Sequence, residues 1–163
     1  MLASMAKPTP EKRPVKVLAK NRKARHDYHI LETFTAGMVL QGTEVKSVRD
    51  GKIQLKDSYV EVRDDQAWLV GAHISPYSHG NRENHDPERP RKLLLHRREI
   101  DKLMGRTTIK GQTVVPLAVL LDGSWIKVEI ALAQGKKLYD KRRAEKEKQV
   151  DRELREAVKS YST

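Results

Sequence analysis

Residues 114–132 constrain this chain more than any other segment. Apolar residues fill 114–121, and Ile126, Val128, Ile130 and Leu132 then alternate with Lys127, Glu129 and Ala131. Strict alternation puts successive side chains on opposite faces of a strand. Asp122-Gly123 between the two runs is a turn dipeptide that closes a hairpin. An apolar face of this kind must be covered by further strands, and upstream segments supply candidates. Tyr28, Ile30, Phe34, Met38 and Leu40 suit strands around a turn near Ala36-Gly37. Residues 58–63 alternate around Val60 and Val62, and Asp64-Asp65 turns the chain into residues 67–74.

Helical pieces interrupt these strands. Gly42 reads as a bulge or a close backbone approach. Thr43 is placed to N-cap a short helix over 44–49, stopped by Gly51. In residues 92–104, Leu95, Glu99, Ile100 and Leu103 recur at helical spacing, with Gly105 as the end signal. Between them, residues 75–91 form a long polar loop holding Pro76, Gly80, Asn81, Asn84, Pro87 and Pro90, of a length that is often functional. The expected fold is mainly β with helices: six or so short strands in an OB-fold-like small barrel with flanking short helices. The pattern alone does not separate an OB-fold from other small β-barrels.

The ends differ from this body. Residues 1–16, with Pro8, Pro10 and Pro14, read as a disordered leader in which Met5 is an alternative start, and they hold no apolar run suited to a signal peptide. The body is expected over 17–134 and a basic tail over 135–163. In the tail, Val150, Leu154 and Val158 lie at i, i+4 and i+8, one thin apolar stripe on a helix. A stripe so thin does not hold a helix in free solution, so the tail is expected to be disordered when free and helical when bound.

Composition narrows the partners. The 163-residue chain carries a formal charge of +11. That excess points to a polyanion, nucleic acid before membrane surface. No stretch approaches the ~18 apolar residues of a membrane span, and a cytoplasmic location is expected. The absence of cysteine removes disulfides, thiolate zinc sites and a Cys nucleophile. Aromatics make up only 5%. That disfavours base-by-base stacking and favours recognition of RNA shape and backbone.

Individual motifs fit this reading. Residues 21–26 hold Arg22, Lys23 and Arg25, which suit phosphate contact, Arg25 by its bidentate fork. Glu44 suits either a base edge or ribose hydroxyl, or an ion pair with a nearby Arg. Arg89, Arg91, Lys92, Arg97 and Arg98 surround a leucine triplet, 93–95, that anchors the following helix, and these cations can face RNA. Lys136, Lys137, Lys141 and Arg142 surround Tyr139, a mixture of phosphate charge and one stacking ring. His73, His79, His85 and Asp86 match no familiar ligand spacing, so neither metal nor cofactor is expected. No nucleophile elbow or phosphate loop is present, which argues against an enzyme. His85-Asp86-Pro87 reads as a turn, with a His85-dependent nuclease as the competing possibility.

Seven segments occur in an order that is specific: NRKARHDY at 21–28, GTEVKS at 42–47, LKDSYV at 55–60, HISPY at 73–77, HDPERPRKLLL at 85–95, EIDKL at 99–103 and GKKLYDKR at 135–142. Together they resemble the SsrA-binding protein family (small protein B, SmpB) over about residues 17–160. The resemblance implies an OB-fold-like barrel that binds transfer-messenger RNA at its tRNA-like domain and rescues stalled bacterial ribosomes by trans-translation, with no chemical step of its own. It implies a tail that is helical in the decoding site and vacant messenger channel, and a monomer accompanied by elongation factor Tu. Asn21, Arg25, Gly42, Glu44, Lys46, Leu94, His96 and Lys127 match the family's RNA-facing positions, beside Arg22. Asp140, Lys141 and Arg142, after Tyr139, match the tail motif needed for tag translation. Thr35 stands where many relatives have Glu, which puts an acidic RNA contact there in doubt, and Asp50 where many have Ala. A general OB-fold nucleic-acid binder is the nearest competing reading, disfavoured by the scarce aromatics and the patterned tail.

Overall fold

The computed structural model of the chain describes residues 15–78, 84–136 and 138–161. In chain order the elements are β1 (Val15–Lys20), α1 (Arg22–Asp27), β2 (Tyr28–Met38), α2 (Gly42–Arg49), β3 (Ile53–Gln54), β4 (Tyr59–Arg63), β5 (Gln66–Val70), β6 (His73–Ile74), β7 (Arg91–Leu94), α3 (Arg97–Arg106), β8 (Gln112–Asp122), β9 (Trp125–Gly135) and α4 (Leu138–Tyr161). Most of the expected leader lies outside the described residues, but its last two, Val15 and Lys16, already belong to β1.

The hairpin expected at Asp122-Gly123 is the spine of the fold. β8 and β9 pair antiparallel from Asp122↔Trp125 to Gln112↔Gln134. The large sheet runs β1-β8-β4-β5-β7-β2-β9, and β9 returns to β8. Six strands therefore close into a barrel. β1 lies outside the ring, paired with β8 beyond the point where β4 meets it at Val114. Ile126, Val128, Ile130 and Leu132 point inward and are at most 8% exposed, as their alternation requires. They share the core with Phe34, Val48, Leu69, Leu93 and Leu103.

A second apolar layer lies outside the barrel wall. Val115, Leu117, Ala131 and Ala133 face outward from β8 and β9, and Ala24 of α1 covers them. Small side chains let the short helix sit close to the strands. The register slips between Pro116 and Ala118, leaving Leu117 as a bulge residue. Pro116 has no N–H to donate, which is why a bulge is tolerated here.

Several local expectations are corrected. No turn occurs at Ala36-Gly37, because β2 is one continuous strand. Its Gly37 pairs with Leu94 on one side and Lys127 on the other. The smallness of Gly37 serves packing: a Cβ there would meet Leu94 Cβ at 3.4 Å. Gly42 is not a bulge but the first residue of α2, and Gln41, not Thr43, occupies the cap. Residues 67–74 do not form one strand, since Gly71, at φ +83°, separates β5 from the short β3–β6 pair. The helix expected over 92–104 is displaced to α3. Arg91 and Leu93 face inward while Lys92 and Leu94 face outward, a period of two that makes β7 a strand. Gly105 lies inside α3, which ends at Arg106 with Thr107 as its C-cap. The Asp64-Asp65 turn holds: both residues have positive φ, 52° and 60°, the geometry of a type I′ hairpin.

Candidate nucleic-acid interface

α1 is built by its cap. Asn21 Oδ1 accepts the Ala24 N–H at 3.2 Å, while Nδ2 donates to Leu55 O and Pro116 O and the backbone N–H donates to Leu117 O. One residue thus caps the helix and satisfies the carbonyls of the β8 bulge. Its side chain is 6% exposed, so the expectation that Asn21 faces RNA is corrected: it is a support. The helix it sets presents Arg22, Lys23 and Arg25 to solvent. Lys23 pairs with Asp57 at 2.8 Å and Arg25 reaches Glu129 at 3.6 Å. Asn21→Ala is expected to destabilise the fold by about 2 kcal/mol, from a lost cap and newly unpaired carbonyls. Urea unfolding checks this, and a loss below about 0.5 kcal/mol would contradict the role.

α2 is held from beneath. Glu44 is fully buried. Its Oε1 accepts the Gln41 N–H at 2.8 Å and Arg89 Nη2, and its Oε2 accepts Arg91 Nε at 2.6 Å. Arg91 is also fully buried and donates onward to Ala72 O, Asp86 O and Pro87 O. Burial by itself would push the Glu44 carboxyl up; the Gln41 N–H and the two guanidinium groups outweigh it and hold it below its ordinary value. With both oxygens engaged in the interior and no surface exposed, Glu44 is out of reach of a base edge. Its expected RNA contact is replaced by the ion-pair reading. Arg91 is likewise withdrawn from the set of RNA-facing cations.

His85 belongs to the same support. Its Nδ1 meets Thr43 Oγ1 and its Nε2 meets Ile74 O, both at 2.9 Å, and the residue is 6% exposed. Both ring nitrogens are occupied in the interior, so the ring is not poised as a nuclease base. His79 lies outside the described residues. No group of three or more potential metal-ligating side chains occurs among the described residues.

Above these supports the exposed candidates converge. Leu94, Gly37 and Lys127 are cross-strand neighbours in one row on the outer barrel wall. With Val45 of α2, Leu40 and Trp125 they line one groove. Leu94 is 56% and Trp125 66% exposed, large apolar surfaces open to solvent. Lys127 Nζ is held by Asp122 at 3.0 Å. Two residues along β9 on the same face, Glu129 receives Arg25, so α1 adjoins the groove. Gly42 and Lys46 are exposed on α2, Lys46 over the Tyr77 ring at 5.3 Å. His96 is exposed at the start of α3, where its N–H donates to Glu99.

Trp125 and Glu129 were not among the sequence candidates. The signal existed: in the alternation that sends Ile126 inward, Trp125 must point out. Of the tail candidates, Lys136 donates its N–H to Asp27 O at 2.9 Å, tying the end of β9 to the end of α1. Tyr139, Asp140, Lys141 and Arg142 fall in the first turns of α4, and Arg142 is exposed. Lys137 lies outside the described residues. Val150, Leu154 and Val158 are 46%, 59% and 67% exposed, so the stripe is left open to solvent and is not buried against the body. No described helix is long and apolar enough to cross a membrane.

This arrangement has close relatives. A solved chain described as "tmRNA-SmpB: a journey to the center of the bacterial ribosome" matches with a TM-score of 0.63 and 46% identity, covering 74% of this chain and 85% of that one. The SsrA-binding protein of Geobacillus thermodenitrificans is 55% identical over 88% of this chain and 93% of its own length. That of Carboxydothermus hydrogenoformans is 51% identical over 89% and 97%. The family model described as "SmpB protein" matches residues 18–160, from the first strand through most of α4. A barrel with a basic, apolar-grooved outer wall and a charged tail helix, matched across nearly its whole length, belongs to the SmpB protein family.

Proposed function

We propose that this protein is an RNA-binding adaptor of trans-translation. It binds the tRNA-like domain of transfer-messenger RNA through the barrel wall and delivers it to stalled ribosomes. There α4 occupies the decoding site and the vacant messenger channel, and the nascent peptide is tagged for degradation. The observation that carries this reading is the family match over residues 18–160. The RNA-facing set is Arg22, Arg25, Gly42, Lys46, Leu94, His96 and Lys127, with Asn21 and Glu44 holding α1 and α2 in place. Lys136, Lys137, Tyr139, Asp140, Lys141 and Arg142 act on the ribosome. The protein works in the cytoplasm as a monomer, alongside elongation factor Tu, and catalyses no reaction.

A wall of this kind reads shape and phosphate more than base edges. Competition binding tests it: unstructured RNA or bulk tRNA should displace transfer-messenger RNA far less well than the RNA itself, and equal displacement would contradict the specific reading. The affinity should also depend on salt. If about five phosphates are neutralised, log affinity falls against log salt with a slope near −4 to −5, from roughly 0.9 per duplex-like contact. A flat salt titration would defeat the electrostatic account.

A further inference from the structure

We propose that Trp125 is a stacking platform for one unpaired nucleotide of the bound RNA, seated in the apolar groove beside it. The inference rests on the proposed function and names what this part of the wall takes: a single nucleotide, held by its flat face and its phosphate. Trp125 is 66% exposed, more than any other large apolar residue described in the barrel. It flanks the turn of the β8–β9 hairpin opposite Asp122 and lies outside the core. Burial therefore does not account for an indole at this position. Leu40, Val45 and Leu94 form the apolar walls of the groove it borders. Gly37 leaves a notch in the floor between its cross-strand neighbours Leu94 and Lys127. Where a side chain would stand, the nearest atoms belong to Leu94, the closest at 3.4 Å. The Lys127 ammonium is drawn the other way, to Asp122 Oδ2 on β8 at 3.0 Å, and leaves the notch open.

Charge decides between occupants. Lys127 lines the groove, and Arg49 Nη2 donates to Ser124 O at 3.4 Å, which fastens the end of α2 to the turn beside Trp125. Among the described residues no carboxylate lines it. An apolar side chain of a protein partner gains little from cations at the rim, whereas a nucleotide brings an apolar face and a phosphate together. Stacking on an aromatic ring tolerates any sequence, because every base has a π-face. Holding one base by its face is therefore compatible with a wall that reads shape, and with a chain in which only 5% of residues are aromatic. The base comes from a loop, bulge or end, since unstacked bases are found there and not inside an A-form duplex. The ring acts by stacking and the rim cations act by charge, so the two contributions separate in a salt titration.

The test uses the full chain and transfer-messenger RNA. Trp125→Leu keeps an apolar side chain and removes the stacking face. It should bind the RNA about tenfold more weakly or worse. Its slope of log affinity against log salt should equal the parent's, since no phosphate contact is lost. Trp125→Phe should lose far less. Trp68 is the chain's other tryptophan, so Trp68→Phe leaves Trp125 as the sole indole emitter, and RNA should quench its emission as the complex forms. Trp125→Leu with the parent's affinity, or emission unchanged at saturating RNA, would overturn the stacking site and give the groove to a protein partner. A shallower salt slope in Trp125→Leu would also overturn it, because the ring would then serve only to position Lys127. These results would leave the proposed function standing. A parent chain that binds bulk tRNA as well as transfer-messenger RNA would instead defeat that function, and the inference with it.

Discussion

Glu44→Gln is expected to remove about 3–5 kcal/mol of folding stability, the range for breaking a buried ion pair by neutralising one partner. The replacement keeps the shape of the side chain and takes away only the charge. Arg91 then sits in the interior with a full positive charge and no carboxylate bonded to it, since its other acceptors are the carbonyls of Ala72, Asp86 and Pro87 and the Asp86 carboxylate acts only through space. Arg89, 31% exposed, can turn to water; Arg91 cannot. Urea unfolding at pH 7 measures the loss, and a change within 1 kcal/mol of the parent would refute the support role. Glu44→Leu combined with Arg91→Met should lose much less than the sum of the single changes, because removing both charges leaves neither orphaned. The acid limb provides a second check. A carboxyl held below its ordinary 4.5 contributes stability above that pH and loses it as pH falls through the lowered value, so Glu44→Gln should be less acid-sensitive than the parent. Any RNA affinity lost in Glu44→Gln should follow the displacement of α2, and the slope of affinity against salt should keep its parent value.

The legible parts of this fold are those where one physical rule acts alone. The alternation of Ile126, Val128, Ile130 and Leu132 around Asp122-Gly123 predicts β8 and β9, and Asp64-Asp65 predicts the β4–β5 turn. Residues 91–95 were not legible because two rules compete there. Three successive leucines fit a buried helix as well as a strand, and the choice depends on Arg91 pointing into the barrel to reach Glu44. Nothing local says that an arginine is interior, since its partner is 47 positions away. The same blindness affected the site. Asn21 and Glu44 are family-matching polar residues in basic or glycine-bearing surroundings, which is also the appearance of a ligand contact. Their burial is a property of the bulge at Leu117 and of the β7 register, neither of which is visible in the segments themselves. The outward placement of Arg22, Arg25, Lys46 and Lys127 was legible because a basic residue on the outward phase of a strand or helix stays outward whatever the rest of the chain does, whereas Leu94 and His96, inside the misread 92–104 segment, were reached only through the family resemblance.

Truncation after Leu138 should leave transfer-messenger RNA binding within tenfold of the parent and abolish peptide tagging on stalled ribosomes. The first half follows from where the core ends. The last fully covered residues of β9 are Ala131, Leu132 and Ala133, and the stripe residues of α4 stay 46–67% exposed. Cutting there removes charge and the His26–Glu145 contact, and no side chain described in α4 is buried, so the wall that carries Arg25, Leu94 and Lys127 should keep its shape. A tenfold loss of affinity corresponds to about 1.4 kcal/mol. A larger loss would mean that body and tail share one RNA surface and are not separate modules. The second half follows from the helix itself. With Val150, Leu154 and Val158 unpacked, α4 draws its stability from local pairs such as Gln149–Glu153, and these contribute only a few tenths of a kcal/mol each. An isolated peptide of residues 136–163 should therefore show weak helicity by circular dichroism, rising when ribosomal RNA is added. A helix that marginal needs a surface to hold it, and the surface that completes it must lie off the protein. The tail's contribution is then made on the ribosome, so its removal should extinguish tagging while leaving the RNA-bound body intact.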